Sequence, residues 1–155
     1  IYPLIVSNKN KVSIDFFHLI RQGRAKNLPK TKFHFSSVYN QKCRGIRGVH
    51  LSTSGDAYIC CNSPIAPTTN NSVFKLGNVK RDSLSIIFDN YKKSKLIRFL
   101  SDYGPYSLVE GMHKKKKKSF CKNKSYSQIC DYCIEKLGKH EKRGVDKFLT
   151  KFYSD

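Results

Sequence analysis

No apolar run in this sequence approaches the roughly 18 residues that a membrane-spanning helix needs. The opening Ile1-Tyr2-Pro3-Leu4-Ile5-Val6 is too short for a secretory signal, and no basic stretch precedes it. Position 1 is not Met, so the expectation is the C-terminal part of a longer chain. Acidic residues are scarce, 11 against 30 basic, and the formal net charge is +19. Arginine is scarce as well: seven of the 30 basic residues, the other 23 being Lys. Lys, Asn, Ile, Tyr and Phe all have AT-rich codons and are all abundant here. The charge is therefore read first as a compositional bias, since net charge speaks to solubility and non-specific binding and not to a site. No Ser–His–Asp or paired-carboxylate pattern is legible, and His18, His34, His50, His113 and His140 are scattered. There is no internal repeat.

What is present suits one compact domain with some surplus. The 155 residues match the usual domain size, and 39% hydrophobic residues, rich in Tyr and Phe, can build a modest core. Residues 1–42 read as a lead-in, with a plausible amphipathic helix from Lys11 to Arg24 and a basic, Pro29-containing linker after it. Val49 to Thr53 alternates apolar and polar, Ser54-Gly55-Asp56 is a turn, and Ala57 to Cys60 resumes a strand. This is a β-hairpin, with Gly55 free to take positive φ. Residues 63–73 are loop chemistry, and Lys75 to Val79 is a short turn-bearing segment. Asp82 is the expected N-cap of a helix of about five turns carrying Leu84, Ile86, Ile87, Tyr91, Leu96, Phe99 and Leu100. A break is allowed near Lys92–Ser94, and the end falls before Gly104-Pro105. Residues 106–129 read as loop-rich and hold the five-lysine run Lys114 to Lys118, taken as a solvated loop. Val145, Phe148, Leu149 and Phe152 mark a last amphipathic helix within 139–155. The fold class expected is α+β: a β-hairpin followed by a helix, with flanking helices.

Six cysteines are too few for a secreted disulfide scaffold, and nothing marks secretion. In the reducing cytoplasm, the expected compartment, clustered thiols are more often metal ligands. Cys130-Asp131-Tyr132-Cys133 is a C-x2-C pair, spaced to bite one centre. Cys43 and Cys60 flank the hairpin, which can bring them together. Cys43, Cys60, Cys130 and Cys133 then offer four soft donors, the set that both Zn²⁺ and iron–sulfur clusters take. The bland alternative is four buried thiols acting as small hydrophobes.

The spacing is C-x11-G-x4-C, then Leu76-Gly77-Asn78-Val79 with a helix after it, then C-x2-C. Over residues 40–136 this resembles the auxiliary iron–sulfur domain of radical S-adenosylmethionine enzymes, the SPASM domain, in its shortened one-cluster form, the Twitch domain. Ser54-Gly55-Asp56-Ala57-Tyr58-Ile59-Cys60-Cys61 is similar to that family's hairpin. The further cysteines of a full SPASM domain do not follow Cys133, so the resemblance implies one 4Fe–4S cluster. It implies Cys60 as the hairpin ligand by its spacing from Gly55, with Cys61 and Cys121 as alternates. Residues 43–138 would form the cluster domain, and 1–42 the end of a radical S-adenosylmethionine barrel.

The family's catalytic motif, C-x3-C-x2-C, is missing. The chain is therefore not expected to be catalytic alone, and S-adenosylmethionine would enter only through a separate catalytic domain, in the same longer chain or another protein. The expected function is electron transfer to or from a substrate radical during modification of a peptide or small molecule. The rival is a zinc-stabilised basic module binding nucleic acid, against which the irregular spacing of the aromatics counts. A third reading is a remnant domain that takes no cluster.

Overall fold

The computed structural model describes residues 23–33, 35, 37–39, 41–62, 72–113 and 125–154. The Lys11–Arg24 helix (but for its last two residues), Cys121, His18, His34 and the Lys114–Lys118 run lie outside these residues. The fold class is α+β, as the sequence suggests: a small antiparallel sheet and, among the described residues, five α-helices.

The sheet begins with the hairpin. Strand β1, His50–Leu51, pairs with β2, Asp56–Tyr58, in the register His50↔Tyr58 and Leu51↔Ala57. The turn closes through Gly55 N–H donating to Ser52 O at 3.0 Å, with Gly55 at φ +86°. That value lies in the region open to glycine at no steric cost. The strands are shorter than the alternating pattern implies. Cys60 and Cys61 lie in a bend and turn beyond β2 and not on opposite faces of a strand.

The segment read as a turn before the helix is in fact strand β3, Lys75–Asn78, the other neighbour of β2. Its register is Asp56↔Asn78, Ala57↔Gly77 and Tyr58↔Lys75, with an irregularity between Ala57 and Tyr58. Polar side chains fasten the pairing. Asp56 bridges to Lys75 Nζ at 2.6 Å and accepts from Asn78 Nδ2 at 2.6 Å.

Five helices then wrap the sheet. They are α1, Leu84–Lys92; α2, Lys95–Asp102; α3, Gly104–His113; α4, Ile129–Lys136; and α5, Lys142–Phe152. The single long helix of the sequence reading is thus two, broken at Lys93-Ser94. Each half has its own serine cap: Ser83 accepts from Ile86 N–H and Ser94 from Ile97 N–H, both at 3.3 Å. Asp82 is not the cap. Its carboxylate turns back to accept from Asn78 N–H at 2.7 Å, sealing the end of β3.

The expectation of loop from residue 106 is also corrected, because α3 runs to His113. Gly104 ends one helix and starts the next at φ +80°, and Pro105 follows in the first turn, where the missing N–H costs nothing. Helix α5 lies within the span expected from its apolar spacing, with Val145 and Leu149 buried.

One core joins these elements. Ala57, Tyr58 and Ile59 from the hairpin, Phe74 and Leu76 around β3, Ile87 of α1, Phe99 and Leu100 of α2, Leu108 and Val109 of α3, Tyr132 and Ile134 of α4, and Leu149 of α5 all belong to it. Among the described residues no helix is long and apolar enough to cross a membrane.

Candidate metal centre

The two cysteine pairs arrive from different parts of the fold. On the first side, Cys43 is tied down by its N–H, which donates to Leu100 O at 2.9 Å. That carbonyl belongs to the last turn of α2, where helical partners run out. The approach depends on Gly104: a Cβ there would stand 2.0 Å from Gln41 O, far inside van der Waals contact. Cys60 is set by the sheet. Ile59 N–H donates to Phe74 O at 3.0 Å, which carries the pairing one residue past β2 and leaves Cys60 beside Phe74.

On the second side, Cys130 and Cys133 lie three residues apart in α4, so they share one helix face. The C-x2-C is thus helical. The two residues between them face the other way and anchor the helix. Tyr132 is fully buried, its ring 5.1 Å from that of Tyr126 and 5.7 Å from that of Tyr106. Asp131 is buried too and accepts a hydrogen bond from Ser127 Oγ. Its position in the first turn suits the positive end of the helix dipole.

Cys43, Cys60, Cys130 and Cys133 line one recess with Asn62, Phe74, Pro105, Ile129 and Ile134. The structure therefore brings together all four residues that the spacing singled out. Cys43, Cys130 and Cys133 carry free thiols, as does Cys61, which is exposed and does not line the recess. Asn62, Phe74, Pro105, Ile129 and Ile134 were not singled out in the sequence. They come from four separate segments, and only the Ile129 and Ile134 positions flanking C-x2-C carried a local hint.

The electrostatics describe four thiols crowded in an apolar place. Burial pushes the Cys43 thiol up, opposed by hydrogen bonds from the backbone of Gly45 and Ile46, with repulsion from Cys60 adding to the rise. Burial, then repulsion from Cys43, pushes Cys130 up to about 11, and a hydrogen bond from the Asn62 side chain opposes it. Cys133 keeps some solvent contact, yet burial followed by repulsion from Cys60, Cys43 and Cys130 raises it well above its ordinary range. Cys43, Cys130 and Cys133 therefore resist becoming thiolates unless a cation compensates them.

Four cysteine side chains are the donor set that both zinc and iron–sulfur clusters take. Among the described residues, no group of three or more His, Cys, Asp or Glu side chains stands where it could hold a metal ion. The thiols face a common recess of about 30 Å³ without meeting at one point. That volume is about one water's share of liquid, so a larger group requires the hairpin wall and the α4 wall to part.

His50 lies on β1 and does not line the recess. His113 and His140 stack with ring centroids 5.4 Å apart, where burial, then the neighbouring His113, holds His140 below its ordinary range. No protein-family model matches the sequence, and no curated protein matches it.

Proposed function

We propose that this chain is an auxiliary iron–sulfur domain of the one-cluster SPASM, or Twitch, kind. Cys43, Cys60, Cys130 and Cys133 hold one 4Fe–4S cluster in it. One observation carries the reading: two cysteine pairs 70 or more residues apart in sequence line the same apolar recess. Four soft donors spread around a recess suit a group with four iron corners, each taking one thiolate. The cluster, when bound, supplies reversible one-electron chemistry.

The chain's own residues do the rest. The four thiolates close the metal's coordination, which favours electron transfer over substrate ligation. Phe74, Pro105, Ile129 and Ile134 keep water from the sulfurs, and burial and hydrogen bonding around a cluster set its potential. The basic surroundings, +19 over the chain, favour the more negative, reduced form. In this reading the electron passes to or from a substrate radical made by a radical S-adenosylmethionine catalytic domain, in the same longer chain or another protein. The substrate is a peptide or a small molecule, and the compartment is the cytoplasm.

Anaerobic purification of the chain tests the proposal. The expected product is brown, with broad visible absorption that Cys130→Ala abolishes and Cys61→Ala leaves in place. A colourless protein carrying one zinc per chain would overturn it in favour of a zinc-stabilised module.

A further inference from the structure

Helix α5 has two unlike faces. Val145 and Leu149 are buried, and Phe148 and Phe152 pack on Phe99 of α2 with ring centroids 6.1 and 4.9 Å away. The opposite face carries Arg143, Lys147 and Lys151, all exposed. They recur every four residues, about 6 Å per step along the axis, and so form one stripe. Lys95, the first residue of α2, adds a fourth cation beside it. Its Nζ donates to Thr150 Oγ1 at 3.5 Å, and Thr150 lies on the same open surface as the stripe.

Elsewhere the helices set exposed cations one turn from a carboxylate: Lys93 stands 3.8 Å from Asp89, and Arg98 stands 3.9 Å from Asp102. On α5 the cations stand one turn from each other. Among the described residues, none of Arg143, Lys147 and Lys151 has an ion-pair partner. Like charges at that spacing repel. No acidic residue in the first turn of α5 meets the positive end of its dipole either. The number of lysines follows from composition, but their placement without paired counter-charges is a property of this face. A bound anion would relieve the repulsion.

Two details choose among anions. Glu141 and Asp146 line the same surface. A nucleic-acid backbone, negative at every phosphate, is repelled by both, whereas a peptide can set neutral or basic residues against them. The second detail is the place of the aromatics. Tyr103 and Phe152 are 47% and 40% exposed with rings 5.4 Å apart, and they gather where α5 ends. A base-stacking platform would interleave them with the cations. A ledge at one end suits a peptide whose acidic stretch is followed by an apolar anchor.

We propose that the outer face of α5 docks an acidic peptide segment of a partner protein. Carboxylates one helical turn apart on the segment pair with Arg143, Lys147 and Lys151, Lys95 lies alongside, and an apolar residue at its end packs on Tyr103 and Phe152. No cysteine takes part, so the proposal stands apart from the iron–sulfur reading.

The test is fluorescence anisotropy with the full chain under reductant. The probe is a labelled helical peptide carrying Glu at three positions four residues apart and Phe at its end. Two variants lose the same three charges: Arg143→Gln, Lys147→Gln and Lys151→Gln together, or Lys42→Gln, Lys80→Gln and Lys139→Gln together. Circular dichroism checks that both fold. The α5 variant should bind the peptide about tenfold more weakly, as three surface ion pairs of modest worth imply. The control variant should stay within about twofold of wild type, because its charges lie off the stripe. Replacing the probe's Phe by Ser should weaken binding several-fold through lost apolar burial. Equal losses in the two variants would mean that bulk charge alone attracts the peptide, and would overturn the proposal. So would an absence of binding by the wild-type chain. A single-stranded oligothymidylate bound more tightly than the peptide, and released by the α5 variant alone, would overturn the peptide assignment in favour of nucleic acid.

Discussion

Asp56 and Gly104 hold the cysteine-bearing segments in place without touching the recess. The Asp56 carboxylate is held down to about 2 by hydrogen bonds from Lys75 first and Asn78 next. A depressed carboxylate contributes stability that is present above its unfolded value, near 3.9, and is lost as pH falls toward about 2. Denaturant midpoints should therefore fall between pH 4 and 2, and Asp56→Asn should flatten that slope while costing stability at pH 7. Cys130 has the opposite sign. Its raised thiol contributes stability below about 9 that is lost as pH climbs through about 11. With reductant and chelator present, Cys130→Ala should lose less stability between pH 9 and 11 than wild type does. Gly104 combines positive φ with a backbone neighbour where a Cβ would be. Gly104→Ala should cost more than the ~1–2 kcal/mol of a left-handed non-glycine residue. It should also displace Cys43, read as faster alkylation of that thiol. Gly55 was legible from the sequence because a hairpin turn demands it. Gly104 was not, because a Gly-Pro pair reads as a helix stop. Only the fold reveals that the same pair starts the next helix against Gln41.

The elements were legible where the period was long enough to count. Helix α5 follows from Val145, Phe148, Leu149 and Phe152, and its buried Val145 and Leu149 are one turn apart. Strand β3 was not legible. Four residues containing Gly77 and Asn78 give no alternation to read, and pairing with β2 decides their state. The cap of α1 was misassigned because Asp82 and Ser83 are both good cap residues and sit side by side. The carboxylate serves the strand end and the hydroxyl serves the helix. Helix α4 carries half of the candidate site, and its grip on the core is Tyr132 between Tyr106 and Tyr126. Tyr132→Ala should cost about 3–5 kcal/mol in urea unfolding, as aromatic truncations in cores do. Tyr132→Phe should keep most of that stability, because the ring packing remains.

At the scale of the molecule, the cysteine grouping was legible because a C-x2-C and a pair flanking a hairpin stand out in sequence. The recess that receives it was not, since Asn62, Phe74 and Pro105 come together only through the sheet and the turn at Gly104. The fold brings four cysteines to one recess at a junction of hairpin and helix, and the sequence supplies no second cysteine set and no C-x3-C-x2-C. Under the proposed reading, both features suit an electron relay that works with a separate catalytic domain. The most direct measurement is iron and acid-labile sulfide per chain after anaerobic reconstitution and desalting of the full chain. The account predicts about four of each per chain, falling to background when Cys43 and Cys133 are both replaced by Ala. Iron at background in the wild-type chain, with the protein folded by circular dichroism, would contradict it.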